Sequence, residues 1–181
     1  MHIEELYKLY KQHPIVFTDT RKIQAGGIFF ALKGPNFDGN SYAAAALQQG
    51  AAYAVIDNAA YATDTRCIVT TNVLETLQQL AHHHRKQLNI PVVAITGSNG
   101  KTTTKELVTQ VLRTKYRTHA TEGNLNNHIG VPLTLLKMPA DTEIAVIEMG
   151  ANHQKEIESY CSIAAPTHGL ITKIGRASCR E

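Results

Sequence analysis

The chain is predicted to be an α/β protein: a small N-terminal α/β module, then a doubly wound, mostly parallel sheet domain. Three observations carry that expectation. Short apolar runs alternate with helical stretches along most of the sequence, the order that lays helices over a parallel sheet. The run Val92–Thr96 is apolar without alternation, as a strand buried on both faces must be. It leads into a glycine turn and a helix, Thr96-Gly97-Ser98-Asn99-Gly100-Lys101-Thr102-Thr103-Thr104, the grammar of a phosphate loop.

Taken in order, Ile3, Leu6, Tyr7 and Tyr10 share the face of a first helix. A Thr/Asp/Gly-rich turn region follows, then residues 28–32 as a buried strand. Residues 41–49 are Ala-rich and helical, with Gly50 placed to stop them. Residues 53–57 and 67–70 read as two more strands. Asn72 opens a long helix with Glu75 as its capping-box partner. Val73, Leu77, Leu80, Ala81 and Leu88 line its inner face, and Pro91 restarts the chain in extended form. The domain boundary is expected in this helix or at 89–91, giving domains 1–88 and 89–175. In the second, residues 92–96, 117–120, 143–149 and 169–172 read as strands. Residues 102–115, 132–137 and 153–161 read as helices. So few strands leave a doubly wound sheet with an open edge. The second domain is therefore expected to be truncated, with 176–181 a non-native tail.

Bulk composition excludes several functions. A surplus of +3, from 18 Lys and Arg against 15 Asp and Glu, is small and scattered, so nucleic acid is not expected as a partner. No apolar run approaches the ~20 residues that span a bilayer, so no membrane insertion is expected. The first residues mix charged and apolar side chains too evenly for a signal peptide. Cys67, Cys161 and Cys179 form no CxxC pair, which argues against a disulfide framework and for a reducing cytoplasm.

Each residue type in the loop has a physical task. Gly97 and Gly100 permit backbone angles that let several N–H groups converge on phosphate oxygens, with Ser98 and Asn99 between them. The helix beginning near Lys101 points its positive dipole end at the same anion, and Thr103 lies in its first turn. Lys101 brings a full charge to the β- and γ-phosphates of ATP, and the Thr102 hydroxyl suits Mg²⁺. The longer G-x-x-x-x-G-K-[ST] form is not met, since Ile95 stands at its first glycine. The plain alternative is a glycine turn that joins strand to helix.

The loop has company. Downstream stand Gly123-Asn124-Leu125-Asn126-Asn127-His128-Ile129-Gly130-Val131-Pro132 and Glu148-Met149-Gly150-Ala151-Asn152-His153. Upstream stand Thr18-Asp19-Thr20-Arg21-Lys22, the stretch 26–34, and Asp38-Gly39. In this order they resemble the Mur ligases of peptidoglycan synthesis, in particular the branch that adds D-alanyl-D-alanine to UDP-N-acetylmuramoyl-tripeptide. The resemblance covers residues 1 to about 175. It implies an N-terminal domain for the UDP-sugar substrate, a central ATP domain and a third domain for the incoming group, in an enzyme that mostly works as a monomer. The implied chemistry is phosphorylation of a carboxylate by ATP, then attack of the D-alanyl-D-alanine amine on the acyl phosphate. Lys101 and Glu148 are the implied catalytic residues, Thr102 and Glu148 the Mg²⁺ ligands.

For the remaining positions two readings stay open. Asn126, Asn127 and His153 are implied nucleotide or substrate contacts, or else turn formers and a surface imidazole. Thr20 and Arg21 are implied contacts to the uridine diphosphate end, where an Arg pairs well with pyrophosphate; a structural salt bridge explains Arg21 nearly as well. His82-His83-His84 fan out around a helix and read as its solvated end. Cys67 and Cys161 read as small core residues. The family's histidine loop and carbamate-bearing lysine do not follow Thr172 here, so the 181 residues alone are expected not to ligate. A sister ligase, a folylpolyglutamate-type synthetase and a non-ligating nucleotide-binding module are the alternatives.

Overall fold

Two four-stranded parallel sheets organise the chain in a computed structural model that describes residues 2–173 and 175; the expected non-native tail, 176–181, lies outside the described residues. The chain divides into two units, Met1–Leu80 and Ala81–Glu181.

The first unit runs α1 (Ile3–Gln12), β1 (Val16–Phe17), β2 (Ile28–Phe30), the antiparallel pair β3 (Lys33–Gly34) and β4 (Phe37–Asp38), α2 (Ala43–Gln48), β5 (Tyr53–Ile56), β6 (Cys67–Val69), and then the start of α3 (Val73–Gln87). Its sheet order is β1-β2-β5-β6, every pair parallel. One core cluster joins Phe17 and Phe29 to Ala43, Ala46 and Leu47 of α2 and to Ala54 and Ile56. Alanines on the inner face of α2 leave room for the two phenyl rings, whose centroids are 5.6 Å apart. Burying each ring contributes about 1.5–3 kcal/mol. The expected helix 41–49 splits in two. Asp38 accepts the Asn40 amide at 2.9 Å and caps a 3₁₀ turn, Gly39–Tyr42, so α2 begins only at Ala43. As the sequence predicts, Asn72 caps α3, its side chain accepting the Glu75 amide at 3.0 Å.

The second unit continues from α3 through β7 (Val92–Thr96), α4 (Lys101–Arg113), β8 (Thr118–Ala120), α5 (Gly130–Leu136), β9 (Ile144–Glu148), α6 (Glu156–Ala164) and β10 (His168–Ile171). Its sheet order is β10-β7-β9-β8, again all parallel. The chain leaves β7, passes over β9 to β8, returns to β9, and then crosses β7 to reach β10. This reversal makes a switch point at the carboxyl ends of β7 and β9, where α/β sheets bind ligands. Ala145, Val146 and Ile147 are fully buried. At the edge strand β10, Leu170 and Ile171 are exposed.

Helix 153–161 starts later, at Glu156, because Lys155 takes a left-handed conformation (φ 66°) and the Glu156 carboxylate turns back onto the amides of Asn152 (2.6 Å) and His153 (3.0 Å). The end of α3 is only partly solvated: Lys86 and Gln87 are exposed, whereas His82 and His83 are half-buried. His84 is buried and takes a hydrogen bond with the Met138 backbone, while His82 Nδ1 lies 3.1 Å from the Ile163 carbonyl. Arg85, also buried, donates to the carbonyls of Leu88 (2.6 Å), Ala164 (3.0 Å), Ile90 (3.1 Å) and Ala165 (3.2 Å). His84 extends the helical stripe of Leu77, Leu80 and Ala81 by one more turn. Leu88 falls beyond the helix and is half-buried.

Candidate functional site

The phosphate loop bridges the end of β7 and the start of α4. Gly97 (φ 136°) and Gly100 (φ 83°) both adopt backbone angles that side chains resist, and a Cβ on Gly97 would overlap the Thr172 hydroxyl. That hydroxyl donates to the Asn99 carbonyl (2.7 Å) and lies 3.1 Å from that of Thr96, fastening the bend to the end of β10. The Ser98 and Asn99 amides donate to the Lys173 carbonyl at 2.9 and 3.4 Å. Amides in the first turn of α4, those of Lys101, Thr102 and Thr103, have no acceptor within the helix. The Lys101 ammonium folds back onto the bend, 2.6 Å from the Gly97 carbonyl and 3.5 Å from that of Ser98. The turn therefore concentrates N–H groups and one cation at a helix N-terminus.

Glu148 ends β9 at the same switch point, 1% exposed. Its Oε1 accepts from Asn126 Nδ2 at 2.8 Å and from Thr102 Oγ1 at 3.2 Å. Oε2 is buried with no hydrogen-bond partner. An unpaired buried carboxylate oxygen costs about 1–3 kcal/mol or more, and a cation would offset that cost. Carboxylate plus hydroxyl is a hard oxygen donor set that suits Mg²⁺ completed by phosphate oxygens and water. The residues present fit the ion.

Thr102, Asn126 and Glu148 are thus brought together. The two other downstream candidates are not bonded to this group. Asn127 spends its side-chain carbonyl on the amides of Gly130 (2.8 Å) and Ile129 (3.0 Å), which starts α5. His153 is exposed and lies 3.3 Å from Glu156. Two residues that the sequence reading passed over are part of the network. Thr121 Oγ1 accepts the Glu148 amide at 2.9 Å, and buried Lys105 donates to the Thr121 carbonyl at 2.8 Å. The signal for Lys105 was its position one turn after Lys101 on the same helix.

In the first unit, a cavity of about 440 Å³ is lined by Thr18, Asp19, Thr20, Arg21, Phe29, Phe37, Gly39 and Tyr42. Phe37 and Tyr42 present exposed rings. Asp19 caps the turn Thr20–Lys22 by accepting the Arg21 amide at 2.9 Å. It also takes Arg21 in a two-pronged ion pair, Nε at 2.9 Å and Nη2 at 2.8 Å. The guanidinium hydrogen bonds hold the Asp19 carboxyl well down, at about 2. The Arg21 side chain is 88% exposed, so the pair is open to water and to ligands.

Comparison with known proteins gives the family. The Mur ligase family catalytic domain matches residues 14–97, and the Mur ligase middle domain matches 95–178. The UDP-N-acetylmuramoyl-tripeptide–D-alanyl-D-alanine ligase of Bacillus subtilis is 44% identical over 168 residues, 92% of this chain and 37% of that protein. The Escherichia coli ligase of the same name is 40% identical over 162 residues, 90% of this chain and 36% of that protein. Among solved structures, MurF from Acinetobacter baumannii matches with a TM-score of 0.84 and 33% identity, covering 96% of this chain and 41% of that one. The MurF ligase of Thermotoga maritima in complex with ADP matches with a TM-score of 0.82 and 31% identity, covering 91% and 38%. The chain thus spans less than half the length of these relatives. With the two domain matches running from residue 14 to residue 178, the chain belongs to the Mur ligase family.

Proposed function

We propose that this chain provides the UDP-sugar site and the phosphate-binding part of the ATP site of a ligase joining D-alanyl-D-alanine to UDP-N-acetylmuramoyl-tripeptide. The observation that carries the reading is Glu148, a buried carboxylate with one oxygen unpaired, bonded to Thr102 beside a phosphate loop. The names of the relatives support the choice of substrates.

In this reading the tripeptide carboxylate attacks the γ-phosphorus of ATP, the bond to the β-phosphate oxygen breaks, and ADP leaves. The D-alanyl-D-alanine amine then attacks the acyl carbon, phosphate leaves, and the nitrogen loses a proton. The first step brings two anions together, so fixed positive charge must offset their repulsion. Lys101 and the first-turn amides of α4 supply it from the protein. Mg²⁺, held by Glu148 and Thr102, would neutralise phosphate charge. Asn126 and Thr102 both hold Oε1 of Glu148, which would leave the other oxygen for the ion. In the first unit, Thr20, Arg21, Phe37 and Tyr42 offer a hydrogen-bonding, cationic and flat apolar surface that matches uridine diphosphate. Arg21 reaches pyrophosphate by exchanging the Asp19 carboxylate for it. Asn127 and His153 enter as rim contacts only through their place in the family's motifs. ATP is a cytoplasmic metabolite, which is where we place the enzyme.

Calorimetric titration of the chain with UDP-N-acetylmuramoyl-tripeptide and, separately, with ATP tests the proposal. Saturable binding of both is expected. Binding of ATP with no affinity for the UDP-sugar would mark a nucleotide-binding module and overturn the ligase reading.

A further inference from the structure

Lys105 occupies the buried face of α4, 1% exposed, one turn beyond Lys101. Its ammonium contacts the Thr121 carbonyl and the Glu106 carboxylate, both at 2.8 Å. A buried ammonium costs several kcal/mol of lost hydration unless it is paired and hydrogen-bonded. A methionine would fill the same space without that cost. What the lysine adds is an anchor for one carbonyl.

That carbonyl belongs to a residue bonded in three directions. The N–H of buried Thr121 donates to the Val146 carbonyl at 3.0 Å, its carbonyl takes Lys105, and its hydroxyl accepts the Glu148 amide at 2.9 Å. Helix α4 therefore grips Glu148 twice. Thr102 reaches the carboxylate directly at 3.2 Å, and Lys105, one turn on, reaches the backbone of the same residue through Thr121.

We propose that Lys105 is a positioning residue for the Glu148 carboxylate, acting through Thr121 to fix the end of β9 against the helix that carries the phosphate loop. The inference rests on the reading of Glu148 as a cation ligand. The Thr102 and Asn126 bonds restrain one carboxylate oxygen. Fixing the Glu148 amide restrains the base of the side chain, and with it the direction of the free oxygen. Mg²⁺ demands ligands at 2.0–2.1 Å in near-octahedral array, so a small drift of that oxygen weakens the ion's hold.

Lys105→Met and Thr121→Val each delete one bond of the relay with little change of volume, while Thr121→Ser keeps the hydroxyl. ADP affinity is measured by calorimetry on the 181-residue chain, in Mg²⁺ and in chelator, with the melting temperature of each variant alongside. Both deletions are expected to cut the Mg²⁺ enhancement of ADP binding roughly tenfold (about 1.4 kcal/mol) and to leave the affinity in chelator within about twofold. Thr121→Ser is expected to restore the enhancement. If Lys105→Met does not fold, the Thr121→Val and Thr121→Ser pair decides by the same criterion. A full enhancement in the folded deletion variants, whatever their melting temperatures, overturns this inference alone. A wild-type chain whose ADP binding is absent or indifferent to Mg²⁺ overturns the reading of Glu148, and this inference with it.

Discussion

At the cavity of the first unit, Asp19 and Arg21 neutralise each other in contact with water, whereas at the phosphate loop of the second, Glu148 is buried with one oxygen unpaired. Both features stand beside a four-stranded parallel sheet, so sheet architecture does not account for the difference. An exposed pair contributes little to stability and is readily exchanged for a ligand. A buried, half-satisfied carboxylate is an electrostatic demand held in place by the fold, which a cation meets. The first site is suited to recognise a substrate by shape and exchangeable hydrogen bonds. The second is suited to hold charge where phosphoryl transfer requires it.

The largest effect that would sharpen this contrast is expected from Lys101→Ala. ATP affinity should fall at least about 100-fold, or ~2.7 kcal/mol, while binding of the UDP-sugar in the first unit stays unchanged in calorimetry. Next comes Glu148→Gln, which keeps the shape and removes the charge. ADP affinity should fall about 10–30-fold in Mg²⁺ and hardly change in chelator; equal losses in both media would break the contrast. In the first unit, Tyr42→Ala is expected to weaken the UDP-sugar roughly tenfold by loss of a flat contact surface. Arg21→Ala should cost only about threefold, because the guanidinium must first give up Asp19.

The smallest expected effect concerns pH and tests the burial of His119 on β8, whose Nε2 lies 2.9 Å from the Thr134 carbonyl. Burial lowers the pKa of His84 and of His119 from the ordinary 6.5. Each binds a proton less readily in the folded chain than in the unfolded one. Their contribution is therefore present above pH 6.5 and drains away as pH falls through 6.5 toward the depressed folded values. His119→Gln should reduce the loss of melting temperature between pH 7.5 and 5.5 by ~2–4 °C. An unchanged pH slope would contradict the burial of that imidazole.

Much of the architecture was legible because its signals are local. The apolar run of β7, the glycines of the bend and the Lys-Thr pair specify strand, turn and helix within a dozen residues. The strands β1, β3 and β4 are two residues each, too short for any periodicity to register. Asn126 and Asn127 are identical neighbours, and only the three-dimensional path of the loop decides that one reaches Glu148 and the other starts α5. The histidines at the end of α3 read as solvated because polar side chains usually are, yet His84 is buried, as are Arg85 and Lys105. Arg85 and Lys105 are satisfied there by carbonyls distant in sequence, Ala164 and Thr121, partners that no local pattern announces.

Everything at the second unit turns on whether the bend at Gly97–Lys101 receives the phosphates and Glu148 their metal ion. A crystal structure of the chain with ADP and Mg²⁺ tests it most directly. The β-phosphate is expected on the first-turn amides of α4 beside Lys101, with the ion against Thr102 and Glu148. An empty bend with the nucleotide seated elsewhere would contradict it.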